Sequence, residues 1–358
     1  MAVVKPFRAL RYDTATAGPL EQLVAPPYDV ISPEERERYV AASPYNVVRL
    51  TLPDSEEQAA HDFAAWQREG VLVAEAGPSF WALEQDYVGP DGIARTRRGL
   101  VASLRVEPYE SNVVLPHERT HRGPKEGRLR LLRAVRAHLE PIFLLHDAPP
   151  TAAPRRDADI ETADTRAWRI GAHEGLVDAF AARRLVIADG HHRYETALAF
   201  HAEEGTDESA YLMVVLVSTH DDGLTIFPTH RIVERLRDVD GSAPALAVDE
   251  ALARLEQLPR DRAAVALYER GTARVLEGEE AQLDAALVQT LEPEGVTYTP
   301  RVGEAVAAVD SGRARAAFLL RPPTIEQVRG VAERGETMPQ KSTYFYPKLV
   351  SGLLFHPL

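Results

Sequence analysis

The sequence predicts an α/β chain, in the α+β sense of a mixed sheet, on three observations. Continuous apolar runs such as Leu185-Val186-Ile187-Ala188 and the stretch 211–218 read as short buried strands. Segments with apolar residues at helical spacing, such as 126–140, stand among them. The two kinds are interspersed without strict alternation, which points to a mixed sheet.

Taken in order, Ser32 and Pro33 open a helix as N-cap and first helical residue, and Glu35 completes a capping box. A second helix covers 55–70 and stops at Gly70. Residues 79–106 read as a β-hairpin around the turn Gly89-Pro90-Asp91-Gly92. The helix at 126–140 carries Leu132, Val135 and Leu139 on one face and ends before Pro141. A Pro- and Ala-rich stretch, 146–159, is the nearest thing to a linker. The strand 185–188 runs through Gly190 into a helix read over 194–199. Residues 211–218 and 224–233 are expected to form a central hairpin, joined by His220-Asp221-Asp222-Gly223. From about 245 to 335 helix-like and strand-like segments alternate again.

With 358 residues, 45% apolar and 27% charged, the composition is that of a globular chain of one large or two modest domains. The net charge of −13 opposes binding to nucleic acid or an anionic membrane, so neither is expected as a partner. Cysteine is absent, which excludes disulfides, cysteine-ligated zinc and thiol catalysis. The first residues lack the apolar core of a signal peptide, and no apolar run approaches a membrane span. The chain therefore reads as cytoplasmic.

Five places carry candidate chemistry. In Asp189-Gly190-His191-His192-Arg193, a strand end, a flexible glycine and a helix start converge, an arrangement that favours an anion. His192 and Arg193 would add charge-assisted hydrogen bonds, and Asp189 would take a proton or hold Mg²⁺. The second is His117-Glu118-Arg119-Thr120-His121, which matches the H-E-x-x-H zinc pattern. Pro116 and Gly123-Pro124 leave too little room for the helix that pattern requires. The electrostatic alternative is stronger: Arg119, Arg122, Lys125, Arg128, Arg130, Arg133 and Arg136 face one acid, Glu126, an imbalance that suits a polyanion such as pyrophosphate or a nucleotide. A solvated helix face explains the last three as well.

Third, Lys341-Ser342-Thr343, with Lys348, offers cations and hydroxyls among aromatics, without the glycines of a P-loop. Fourth, 25–32 and 45–50 present Tyr28, Asp29, Asn46 and Arg49, with Asp29 a candidate base or substrate-amine ligand. Fifth, His230 and Arg231 stand at a strand end.

Together the stretches 25–32, 45–50, 115–134, 188–197 and 338–349 resemble the signatures of a bacterial and archaeal domain-of-unknown-function family, DUF1015. The run 189–194 is also similar to the Gly-x-His-Arg-Tyr phosphate motif of sulfiredoxin and ParB-type nucleotidases, and to the Asp-Gly-His-x-Arg turn of free-serine kinases. The resemblance implies a ParB/sulfiredoxin-like core with an additional α/β region. It divides the chain into an N-terminal α/β part (1–150) with the basic loop and helix, the phosphate-binding core (151–240), and a C-terminal α/β region (241–358) whose tail returns to the site.

The implied activity is phosphorylation of free L-serine to O-phosphoserine, from pyrophosphate, ATP or ADP, with Mg²⁺. Catalysis is then expected of Asp189, His191, Asp29 and Glu118. Donor binding falls to Gly190, His192, Arg193, His117, Arg119, His121, Arg122, Lys125, Lys341, Ser342, Thr343 and Lys348. Substrate binding falls to Tyr28, Asn46, Arg49, His230 and Arg231, and the metal to Asp189. The kinases' N-terminal glutamate has no clear counterpart, and Asp29 or Glu118 would replace it. Serine and the donor are the expected partners, with a homodimer as an open assembly. The other readings are a phosphatase, a nucleotide-binding regulator and, last, an H-E-x-x-H zinc hydrolase.

Overall fold

In the computed structural model, residues 1–118, 122–171, 174–237, 239 and 242–358 are described. The sequence assembles into an α/β fold with two principal sheets. The larger has nine strands. In chain order these are β1 (Val4–Lys5), β2 (Phe80–Val88), β3 (Ala94–Arg105), β4 (Val114–Leu115), β5 (Ile142–His146), β6 (Ile160–Glu161), β7 (Thr165–Ile170), β8 (Leu185–Asp189) and β9 (Tyr211–Ser218). Across the sheet the order is β4-β8-β5-β9-β3-β2-β7-β6, with β1 paired to the far end of β3. The β8–β4 and β9–β5 pairs are parallel and the rest antiparallel, so the sheet is mixed.

The strand β9 lies at its centre because every residue from Leu212 to Ser218 is buried, which only a strand covered on both faces can satisfy. Each fully buried Leu or Val there contributes on the order of 1.5–3 kcal/mol.

The second sheet is antiparallel and five-stranded. It comprises β10 (His230–Arg235), β11 (Arg262–Glu269), β12 (Thr272–Glu280), β13 (Glu294–Thr299) and β14 (Ala316–Leu320), in the order β12-β11-β14-β10-β13. The edge strand β13 lines the cleft described below.

Several local expectations hold. Ser32 and Glu35 form the capping box reciprocally at 3.2 and 2.9 Å, and Pro33 is the first helical residue. The second helix is Glu56–Arg68, capped by Ser55, with Gly70 at φ +75°. The hairpin is β2–β3.

Two differ. Residues 211–233 are not a hairpin. Both edges of β9 are already paired, by β5 and β3, so no edge is left for 224–233. Instead Thr225–Phe227 pairs with Tyr344–Tyr346, and β10 enters the second sheet. The helix expected at 126–140 is Arg122–Val135. Arg136 turns to φ +55°, its N–H donates back to the Leu132 carbonyl, and Ala137–His138 pairs with His356–Pro357. The helix after Gly190 runs His191–Glu204, so His192 and Arg193 stand in its first turn as expected.

Candidate functional site

The site is built from the end of β8. Pairing with β5 slips between Ile187 and Asp189, so Ala188 is an extra residue that re-aims the next side chain. Gly190 follows at φ +98° and caps the helix His191–Glu204. A Cβ at Gly190 would stand 2.7 Å from Ile142 Cγ2, so both conformation and space require glycine. The Tyr194 N–H donates to the Gly190 carbonyl at 2.9 Å and closes the first turn. The earlier N–H groups of such a helix have no intrahelical acceptor, and the helix dipole is positive there.

Asp189 is held between two cations. Lys348 Nζ donates to Oδ1 at 2.6 Å, and an Arg193 terminal nitrogen donates to Oδ2 at 2.9 Å. Burial alone would raise this carboxyl, but Lys348 and Arg193 hold it well below the usual carboxylate range. Lys348 stays charged in turn: burial acts to lower it, and Asp189 more than offsets that. Arg193 is also tied to the Pro141 carbonyl. One acid against two cations leaves the turn with one net positive charge beside a positive helix end.

His117, fully buried, fixes the neighbouring polarity. Its Nδ1 lies 2.6 Å from the Ile187 carbonyl and its Nε2 3.0 Å from Thr343 Oγ1. A carbonyl only accepts, so Nδ1 carries the proton and Nε2 accepts from the Thr343 hydroxyl. Burial pushes the imidazole down to about 4, so it is neutral at pH 7. The backbone N–H of His117 donates to His191 Nε2 at 3.3 Å. Burial, with His117 beside it, keeps His191 neutral as well. Glu118 bridges to Met338 and accepts from the Lys341 N–H at 3.4 Å. Burial raises its carboxyl, and the Lys341 N–H and charge only partly offset this.

These groups open on a cleft of about 650 Å³ between the 188–193 turn, the 340–348 segment and the 296–300 end of β13. Tyr28, Asp29, Glu118, Asp189, Gly190, His191, His192, Arg193, Lys341, Thr343 and Lys348 all line it. A larger hollow, about 950 Å³, lies beside 346–350 against β2 and β3, and of the predicted residues only Lys348 reaches it.

The sequence model of one family, described as a protein of unknown function (DUF1015), matches residues 4–294. The chain belongs to the DUF1015 family. No curated protein matches this DUF1015 chain. Solved structures similar to it include a free serine kinase in complex with AMP, at 16% identity and TM-score 0.40, covering 67% of this chain and 89% of that one. A conserved hypothetical protein from Pyrococcus furiosus is similar at 17% identity and TM-score 0.38, covering 67% and 92%.

The other predicted residues of the DUF1015 chain lie elsewhere. Asn46 is buried, donating to the Gln22 carbonyl and accepting from the Val48 N–H, and Arg49 donates to the Val40 carbonyl. His230 Nδ1 accepts from the Leu320 N–H inside the second sheet. Arg231 donates to the Ala285 and Gln340 carbonyls. Ser342 turns away to the Pro339 carbonyl. Lys125 pairs with Glu195 at 3.3 Å. Arg128 donates to the Thr51 carbonyl and lies over the Tyr28 ring. Arg130, Arg133 and Arg136 pair with Glu56, Glu203 and Glu204 as a solvated helix face. Arg119 and His121 lie outside the described residues, as does the side chain of Arg122.

His117 and Glu118 precede the helix Arg122–Val135 and do not lie on it, so they do not take the helical register of an H-E-x-x-H site. Among the described residues no group of three or more His, Cys, Asp or Glu side chains is gathered for a metal. Among them, too, no helix is long and apolar enough to cross a membrane.

Sequence reasoning missed the wall opposite the turn. Thr229, Thr297, Tyr298 and Tyr344 line the cleft, and Tyr298 is 42% exposed. Thr229 and Tyr344 stand beside residues that the sequence singled out, and for Tyr298 the signal was an aromatic in a short polar strand before Pro300.

Proposed function

We propose that this protein transfers a phosphoryl group from a compact polyanionic donor to the hydroxyl of free L-serine. The observation that carries the reading is the pairing, in one cleft, of a positively charged helix start with a carboxylate raised by burial. Phosphoryl transfer needs positioning and positive charge more than covalent chemistry. Lys348 has three N–H donors and spends one on Asp189, so it can bind donor phosphate with the first helical turn and Lys341. Asp189 then acts as the counter-ion that keeps Lys348 and Arg193 in place. His191, neutral, contributes a hydrogen-bond donor without charge.

Glu118 orients the serine hydroxyl and takes its proton, since a raised carboxyl is the better matched base. Mg²⁺ bound to the donor would neutralise charge developing on the phosphoryl oxygens. Asp189 fits that ion poorly because both its oxygens are already bonded to cations. Asp29, a carboxylate on the cleft wall, fits better. Lys341 and Lys348 on the cleft wall, and the lack of an adenine-pocket motif, support pyrophosphate over ATP or ADP.

The test is direct. The protein is incubated with Mg²⁺, L-serine and pyrophosphate, ATP or ADP in turn, and O-phosphoserine is measured. Product from pyrophosphate is expected. No product from any donor rejects the reading, and release of phosphate from phosphoserine alone makes the protein a phosphatase.

A further inference from the structure

Thr343 and His117 set the hydrogen-bond polarity of one cleft wall. The Ile187 carbonyl lies 2.6 Å from His117 Nδ1 and can only accept, so the imidazole proton sits there. Nε2 is left with a lone pair, and Thr343 Oγ1, 3.0 Å away, has to donate its one proton to it. The hydroxyl therefore has only lone pairs left to offer the cleft that Thr343 lines. A fully ionised phosphate oxygen carries no proton and cannot bond to such a group. Thr343 is thereby separated from the cationic donor-binding wall, where the sequence had grouped it.

Three kinds of ligand could meet an acceptor: a hydroxyl, a metal ion or an ammonium. A hard cation such as Mg²⁺ prefers carboxylate and phosphate oxygens to a neutral hydroxyl. The neighbour narrows it further. Glu118 follows His117 directly and accepts from the Lys341 N–H, two residues before Thr343. The group that would take the serine hydroxyl proton and the group that would meet the next ligand atom thus line the same cleft. In serine the hydroxyl and the ammonium are on adjacent carbons.

We infer that Thr343, with its hydroxyl fixed by His117, binds the ammonium group of the acceptor amino acid and so selects an amine-bearing substrate. The inference rests on the serine-kinase reading above and adds its specificity element. His117 is a positioning residue and does not touch substrate.

The variants Thr343→Val, which keeps the shape, and Thr343→Ser, which keeps the hydroxyl, test it against L-serine and 3-hydroxypropanoate, which lacks the ammonium. Expected is a rise of about tenfold or more in KM for serine in Thr343→Val. KM for pyrophosphate, the Mg²⁺ requirement and the activity on 3-hydroxypropanoate should stay within about twofold, and Thr343→Ser should restore serine binding. A rise in donor KM or Mg²⁺ requirement, or equal losses on both acceptors, overturns the inference and leaves the kinase reading standing. If the wild-type protein turns over no donor, calorimetric titration with L-serine still decides. Binding weakened only in Thr343→Val keeps the inference while the kinase reading fails, and no binding to wild type rejects both.

Discussion

Lys348 Nζ meets Asp189 Oδ1 at 2.6 Å across 159 residues of sequence. The contact ties the 344–348 segment to the strand end that the Gly190 turn grows from, and both partners are mostly shielded from water. Removing one partner leaves the other half-paired. Lys348→Met should cost about 1–3 kcal/mol, less than the ~3–5 of a wholly isolated buried charge, because Arg193 remains. Donor affinity should fall at least tenfold. In a double-mutant cycle with Asp189→Asn, measured by chemical denaturation, the stability losses should be far from additive. Additive losses would show that the pair is not coupled.

Gly190→Ala forces a side chain onto φ +98° and against Ile142. The left-handed conformation alone costs roughly 1–2 kcal/mol, and the contact adds to it. The melting temperature should drop by several degrees and donor binding should weaken together with it. An unchanged melting temperature would mean that the turn yields easily.

Arg193→Ala is expected to weaken donor binding and lower the melting temperature as well. A surface phosphate ligand would do only the first, but Arg193 is bonded to both Asp189 and the Pro141 carbonyl. Arg193→Lys should rescue neither, since one ammonium cannot span both partners as the guanidinium fork does. Full rescue by lysine would refute the bridging role.

The pH dependence has two parts. Glu118, raised by burial, must lose its proton to act, so activity should rise with pH through a value above the ordinary glutamate range. Glu118→Gln should abolish turnover while donor binding persists. Its raised folded value also means that the folded state binds more protons than the unfolded one in that window. Its contribution to stability therefore falls as pH rises there. The buried histidines act oppositely. His117, His146, His230 and His356 are each pushed down to about 4 by burial. Their stabilising effect is complete above about 6.5 and is lost as pH falls toward 4. Thermal melts between pH 7 and 4 should show a steep loss of stability, and a flat profile would contradict it.

The strand-turn-helix around Gly190 was legible in the sequence because its signals are local: a continuous apolar run, a glycine and a polar first turn. The hairpin 79–106 and the capping box at Ser32 were legible for the same reason. The reading of 211–233 as a hairpin failed because pairing is decided by which edges are free, and β9 has none. In the site, charge density drew attention to the arginines of 128–136, yet most of these are paired with distant glutamates. Charge in a sequence does not reveal its counter-ions. Asn46 and His230 looked like ligands because polar residues in apolar surroundings are conspicuous, and each instead satisfies buried backbone groups. Tyr298 was invisible because its place on the cleft wall is set by a second sheet with cores of its own.

The segment 338–348 supplies Thr343, Lys348 and the N–H that Glu118 accepts, although the turn they complete lies near residue 190. During synthesis the Gly190 turn leaves the ribosome about 150 residues before them, at roughly 5–20 residues per second. For roughly 8–30 seconds the nascent chain therefore holds Asp189 without Lys348 and His117 without Thr343. The burial of both side chains is completed only by the last segment of the chain to be made.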